Sequence, residues 1–120
     1  MHEFSICQGL VEAIIAEAAA AGPVSKRVVR ARVKVGDLRQ IVPDTLQFAY
    51  ETLTKDTCAD SSVLEIVRAP ATGVCALCAW EGELQGPVIG FICAKCGAIE
   101  GKLTGGRELF LESIEVVDNE

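Results

Sequence analysis

Four cysteines in the second half of the chain are arranged in two identical pairs. Cys75 and Cys78 form one Cys-x-x-Cys unit, and Cys93 and Cys96 form the other. Two intervening residues let both sulfurs of a unit turn toward one point, so two units can supply four thiolates in a tetrahedron. Zinc is the ion expected for this set, with Zn–S distances of about 2.3 Å. Four thiolates leave no open coordination position, so we expect a structural site and not a catalytic one.

Other uses of these cysteines stay open on the sequence alone: two disulfides, a redox dithiol, or a rubredoxin-like iron site. The N-terminal residues lack the basic region of a secretory signal, which predicts a cytoplasmic and therefore reducing location. In such a compartment a pair of Cys-x-x-Cys units is more typical of a metal site than of disulfides. We assign neither Cys7 nor Cys58 to a site, because neither belongs to such a unit.

The single histidine of the chain is residue 2. At this position the Met1 amine, the His2 amide and imidazole, and the Glu3 amide can all reach one ion, which gives four nitrogens in a plane. Square-planar nitrogen ligation is typical of Ni(II) or Cu(II) and not of zinc. A terminal histidine more often has no function, because chain ends fray. The chemistry therefore permits a second metal site at the N-terminus without requiring one.

Composition narrows the classes of function. The chain has 120 residues, a formal net charge of −6, 50% hydrophobic residues and only 5% aromatic residues. One histidine removes most general acid–base schemes, and an acidic balance is the opposite of what nucleic-acid binding favours. The apolar runs are far shorter than the roughly 20 residues of a membrane-spanning helix. We therefore expect a globular protein that is neither an enzyme nor bound to nucleic acid or a membrane.

The elements that must position these residues follow from hydrophobic periodicity. Apolar residues recur at three- and four-residue steps over 4–21, which predicts an amphipathic helix. A period of two over 24–35 predicts a strand with one polar face. Pro43 opens a second helix, and residues 63–67 and 109–117 read as two further strands. The predicted order is helix, strand, helix, strand, insert, strand.

The insert covers residues 70–107 and contains both Cys-x-x-Cys units and most of the glycines. A segment this short and glycine-rich cannot bury enough apolar surface to fold alone, so a metal must supply folding free energy. The predicted domains are therefore 1–69 with 108–120, and the zinc-binding insert 70–107.

Several blocks of the sequence together resemble one known family. They are Met1-His2-Glu3-Phe4-Ser5-Ile6, Gly36-Asp37-Leu38, Leu46-Gln47-Phe48-Ala49, Leu64-Glu65-Ile66, the two Cys-x-x-Cys units, Gly106-Arg107-Glu108-Leu109 and Ser113-Ile114-Glu115-Val116. In this order they resemble the HypA/HybF nickel metallochaperones of [NiFe]-hydrogenase maturation, over essentially the whole chain. The resemblance implies an α+β fold of two helices on a three-stranded mixed sheet, with a small four-Cys zinc domain inserted before the last strand.

The resemblance also implies a function. Ni(II) would bind at Met1, His2 and Glu3, and Zn(II) at Cys75, Cys78, Cys93 and Cys96. Nickel would be delivered to the [NiFe]-hydrogenase large subunit with a HypB-type nickel GTPase as partner, by a protein that is a monomer or a weak dimer. Many relatives have Gly after the first Cys-x-x-Cys unit and Pro inside the second. Here those positions are Ala79 and Ala94, which affects the expected turn geometry and not the ligands.

A zinc-ribbon module that binds nucleic acid is the alternative, because basic residues are concentrated in the first predicted strand. They are Lys26, Arg27, Arg30, Arg32 and Lys34. A solvated strand face explains them more simply, and the aromatic residues expected for single-strand binding are missing.

Overall fold

The structure, a computed structural model, describes residues 3–84 and 90–119. Its helices are α1 (Glu3–Ala20) and α2 (Pro43–Leu53), with a short 3-10 turn at Asp37–Arg39. Its strands are β1 (Lys26–Gly36), β2 (Val63–Ala69), β3 (Thr72–Cys75), β4 (Glu81–Glu83), β5 (Gly101–Gly105) and β6 (Leu109–Asp118). The chain divides into two units, one drawn from Met1–Lys34, Ile41–Val67 and Phe110–Glu120, the other from Val35–Gln40 and Arg68–Leu109.

In the first unit, α1 and α2 pack against each other beside a sheet with the strand order β2-β1-β6. The buried stripe of α1 agrees with the predicted period of the helix. Its hydrophobic members are Cys7, Leu10, Val11, Ile14 and Ala18. Phe4 was expected on this stripe, but 38% of its surface is exposed and its ring meets that of Phe48 on α2 edge-on. Phe48 is itself exposed, so the contact between the two rings places Phe4 at the edge of the core and not inside it.

The sequence places the start of α2 at Pro43, and the structure confirms it. The residue before a proline is driven to extended backbone, and Val42 has φ −83° and ψ 115°. Proline is tolerated in the first helical turn, where an N–H has no partner within the helix. Asp44 adds a carboxylate near the positive end of the helix dipole. Leu46, Ala49 and Tyr50 form the buried stripe of this helix.

Strand β1 has one buried and one polar face over most of its length. Ala31, Val33 and Val35 are buried, as the alternation predicts, but Val28 and not Val29 is buried near the start. The Val28 N–H donates to the Cys58 carbonyl, 2.8 Å away, so the start of the strand is bonded to the loop after α2.

The polar face of the first sheet is occupied by ion pairs between strands. Arg30 Nε lies 3.2 Å from a Glu115 carboxylate oxygen, and Arg32 Nε lies 3.0 Å from that of Glu65. Lys26 pairs with Asp118. The hydrogen bond and charge of Glu65 raise the pKa of Arg32. Three residues of the basic run therefore have acidic partners within the same unit.

The second unit contains a three-stranded sheet that the sequence did not predict, with β3 between β4 and β5 and both pairings antiparallel. Its buried core is Ala71, Cys75, Leu84, Phe91 and Cys93. The Phe91 ring lies against Gly73 and Gly101, where added Cβ atoms would come within 2.7 Å and 2.4 Å of ring carbons. The strands escaped prediction because these glycines replace the β-branched residues by which strands are recognised.

The α+β fold class is confirmed: two helices on a three-stranded mixed sheet, with a four-Cys cluster in the segment before the last strand. The domain bounds 1–69 with 108–120, and 70–107, stay a prediction. No helix among the described residues is long and apolar enough to cross a membrane.

Candidate metal centre

The four cysteines of the two Cys-x-x-Cys units come together in the second unit. All four sulfur atoms lie within 4.8 Å of one another. The Cys75 and Cys96 sulfurs are 3.7 Å apart, and those of Cys78 and Cys93 are 3.6 Å apart. A tetrahedron with metal–sulfur bonds of about 2.3 Å has sulfur–sulfur edges of about 3.8 Å. The cluster therefore fits a single tetrahedral thiophilic ion, and all six cysteines are free thiols without disulfides.

The two Cys-x-x-Cys units, here called the first knuckle (residues 75–78) and the second knuckle (residues 93–96), have the same local geometry. In the first knuckle the Cys75 sulfur accepts hydrogen bonds from the Leu77 and Cys78 amides, at 3.4 and 3.5 Å. In the second, the Cys93 sulfur accepts from the amides two and three residues later, both at 3.3 Å. Amide donors stabilise a thiolate, so the backbone of each knuckle already favours the charged form that binds metal.

The chain leaves each knuckle through a left-handed residue. Ala79 follows the first knuckle with φ +63°, and Gly97 follows the second with φ +76°. These turns let the Cys75 N–H reach the Trp80 carbonyl at 2.8 Å and the Cys93 N–H reach the Ala98 carbonyl at 2.9 Å. The first knuckle therefore makes the same turn as the second although residue 79 is alanine and not glycine. Ala79 adopts a conformation that favours glycine.

The pKa values of the thiols reflect this arrangement. The Cys78 amide lowers the pKa of Cys75 most. Burial raises the pKa of Cys93, but hydrogen bonds, chiefly from the amides of its own knuckle, outweigh burial and lower the pKa to about 6. The Ala98 amide lowers the pKa of Cys96, but burial and hydrogen bonds with the other thiols raise it to about 12. Without a metal, the cluster thus favours the thiolate form of Cys75 and Cys93 and the protonated form of Cys96. A bound divalent cation would stabilise all four cysteines as thiolates.

Two of the candidate metal ligands also form part of the core. Cys75 is 2% exposed and Cys93 is 3% exposed, and both belong to the same buried cluster as Phe91. Cys96 is exposed, so the cluster lies at the edge of this core. Two of the five core residues in this cluster are therefore candidate ligands, and a bound metal would add to the stability of a small hydrophobic core.

Of the residues predicted at the N-terminal site, Met1 and His2 lie outside the described residues, and Glu3 lies within them. Glu3 is the first residue of α1 and is only 9% exposed. Its Oε2 atom accepts a hydrogen bond from the Val42 N–H, 3.1 Å away. No local sequence pattern indicates this contact, because the donor is a backbone amide distant in the chain.

Cys7 and Cys58 lie outside the four-Cys cluster, in the first unit. Cys7 is fully buried on α1, and burial raises the pKa of its thiol to about 11. Cys58 is half-buried in the loop after α2. Cys7 therefore serves as a small core residue that stays protonated at neutral pH.

Comparison with known proteins agrees with this geometry. The family model for HypA, described as a hydrogenase/urease nickel incorporation metallochaperone, matches residues 1–116. The hydrogenase maturation factor HypA of Geobacter metallireducens is 38% identical over 118 residues, which cover 97% of this chain and 99% of the relative. The same factor of Trichodesmium erythraeum is 34% identical, with 97% and 96% covered.

Two solved structures share the fold. The solution structure of the Ni metallochaperone HypA from Helicobacter pylori has a TM-score of 0.63 and 24% identity, and covers 99% of this chain and 100% of that one. A second solution structure of a HypA protein has a TM-score of 0.64 and 25% identity, covering 98% and 97%. Both matches span the described helices and the four-Cys segment.

Proposed function

Because this chain belongs to the HypA family of nickel-incorporation metallochaperones, we propose that it binds Ni(II) at its N-terminus and delivers it to the [NiFe]-hydrogenase large subunit. The observation that carries this proposal is the family match, which covers residues 1–116 and therefore includes both the N-terminal residues and the four cysteines. Nickel is the cargo in this scheme and must be released, so we expect ligands that exchange readily.

The proposed nickel ligands are four nitrogens: the Met1 amine, the His2 amide and imidazole, and the Glu3 amide. Support comes from the start of α1 at Glu3, since the first N–H groups of a helix have no acceptor within it. Their deprotonated forms can ligate a metal without breaking the helix. Planar nitrogen ligation favours Ni(II) over the zinc held elsewhere in the chain.

The proposed resident ion of the four-Cys cluster is Zn(II), bound by Cys75, Cys78, Cys93 and Cys96. Sulfur–sulfur distances of 3.6 and 3.7 Å support this choice, and four protein ligands leave no position for substrate. Zinc would therefore act structurally, and we expect no catalytic turnover.

A HypB-type nickel GTPase and the hydrogenase large subunit are the proposed partners, in the cytoplasm, with the protein a monomer or weak dimer. We expect no membrane partner and no nucleic-acid partner. The ion pairs of Lys26, Arg30 and Arg32 support the second expectation, since phosphate binding would have to compete with carboxylates already in place.

The test of the nickel site is calorimetric titration of Ni(II) into untagged, zinc-loaded protein. His2→Ala and a variant with one extra residue before Met1 should each weaken binding by more than the 10–100-fold typical of changes outside the ligand shell. One extra residue at the C-terminus is the matched control and should change nothing. Parental affinity in His2→Ala would contradict the proposal.

A further inference from the structure

We propose that Glu3 is a positioning residue, whose carboxylate anchors the N-terminal end of α1 to the start of α2 and is not itself a nickel ligand. This inference rests on the proposed function, because it assigns separate roles to the backbone and the side chain of Glu3 in the proposed nickel site. The Glu3 amide would bind the cargo, and its side chain would hold that amide in place.

The first observation is the hydrogen bond between the Glu3 carboxylate and the Val42 N–H, at 3.1 Å. Val42 is the N-cap residue of α2, its own side chain makes no cap hydrogen bond, and Pro43 after it has no N–H. The carboxylate therefore lies at the positive end of the α2 dipole, where a negative charge is stabilised. Only 9% of Glu3 is exposed, so this contact is shielded from competing water.

The second observation is the ring contact one residue later. Phe4 and Phe48 meet edge-on, with ring centroids 6.2 Å apart and planes at 75°. Edge-on aromatic pairs add stability beyond the area that they bury. The first two described residues of the chain are thus both attached to α2, one by a charged hydrogen bond and one by an aromatic pair.

These contacts bear on nickel because the proposed ligands belong to three consecutive residues. A site built mostly from backbone nitrogens has the right geometry only if the backbone is held, so anchoring residue 3 lowers the ordering cost of binding. Moving the carboxylate to nickel would leave the part-buried Val42 N–H without this acceptor, a loss that is costly in itself. Nickel ligation through the same Oε2 atom would therefore cost the hydrogen bond from the Val42 N–H.

The experiment compares Glu3→Ala, Glu3→Gln and the control Glu12→Gln in full-length, untagged, zinc-loaded protein titrated with Ni(II). Glu12 lies on the exposed face of the same helix, so its variant removes the same charge without a buried contact. Glu3→Ala should weaken nickel binding about 10-fold or more, as changes that misorient ligands do. Glu3→Gln keeps an oxygen acceptor for the Val42 N–H and should recover most of that loss.

The visible absorption and the X-ray absorption spectrum of bound nickel should be the same in all three variants as in the parent, because no ligand changes. An altered nickel spectrum in Glu3→Gln, with affinity as low as in Glu3→Ala, would show that the carboxylate is a ligand. Parental affinity in Glu3→Ala would show that the anchor has no effect on nickel. Both outcomes overturn the inference while the effect of His2→Ala stands, whereas parental affinity in His2→Ala overturns the proposed function itself.

Discussion

At the scale of single residues, Ala79 and Gly97 occupy the same place in two symmetric turns but differ in strain. Both are left-handed, with φ of +63° and +76°. A side chain in this region costs about 1–2 kcal/mol, which glycine avoids. The backbone is therefore strained at Ala79, directly after the proposed ligand Cys78, and is not strained at Gly97.

This difference predicts opposite effects for two single substitutions. Ala79→Gly should stabilise the second unit by about 1 kcal/mol, somewhat less than the full strain because glycine also gains freedom in the unfolded chain. Gly97→Ala should destabilise it by a similar amount, since no atom lies within 4 Å of the added Cβ and only the backbone is strained. Thermal unfolding of the zinc-loaded variants measures both. Changes of the same sign would contradict the account.

The sequence predicts the four-cysteine cluster better than the contacts around it. The spacing within each Cys-x-x-Cys unit turns two sulfurs toward one point, and the structure brings all four sulfurs together. The hydrogen bond of Glu3 depends on Val42, which is distant in sequence. No local pattern encodes such contacts, so they appear only in the folded chain.

At the scale of elements, the sheet of β3, β4 and β5 depends on a small core. Phe91 fills it by lying against two glycines, and the partly buried Trp80 and Leu103 pack beside it. Loss of the metal would leave Cys75 and Cys93 buried without the ion that joins them. A core this small does not outweigh the entropy of ordering the chain.

Zinc removal should therefore unfold the second unit before the first. Acid favours release because protons compete with the ion for the thiolates, so the stability that zinc provides is lost as pH falls. Trp80 is the sole tryptophan and lies against the core of the second unit, whereas α1 and α2 belong to the first unit. On titration with acid and chelator, or in Cys93→Ala, Trp80 fluorescence should change while helical circular dichroism persists.

The control for this experiment is Cys58→Ala, which removes a thiol outside the cluster and should leave the fluorescence transition in place. Release of zinc with unchanged Trp80 emission would contradict a stabilising role for the metal. Loss of the helical signal before the fluorescence change would contradict the order of unfolding.

Element prediction succeeded where a strong periodicity exists and failed where glycine removes it. Helix α2 begins at a clear signal, Pro43, and has a buried stripe along its length. Strands β3 to β5 are short, contain several glycines and are organised by Phe91 and the four thiols. Their pairing is a consequence of tertiary contacts that no short window of sequence contains.

At the scale of the whole molecule, charge separates the two functional candidates. The net charge is −6, and four thiolates with one divalent ion would make it −8. The basic run of β1, which motivated the nucleic-acid alternative, is partly neutralised by Glu65, Glu115 and Asp118. A net negative charge disfavours long-range attraction to phosphate backbones and favours attraction of cations.

X-ray absorption of the untagged protein loaded with one zinc and one nickel tests the central claim most directly, because it reports both sites at once. The zinc edge should show four sulfur ligands at about 2.3 Å. The nickel edge should show planar nitrogen ligation without sulfur, and this signature should disappear when one residue is added before Met1. Sulfur ligands on nickel, or a nickel spectrum that the added residue leaves unchanged, would contradict the account.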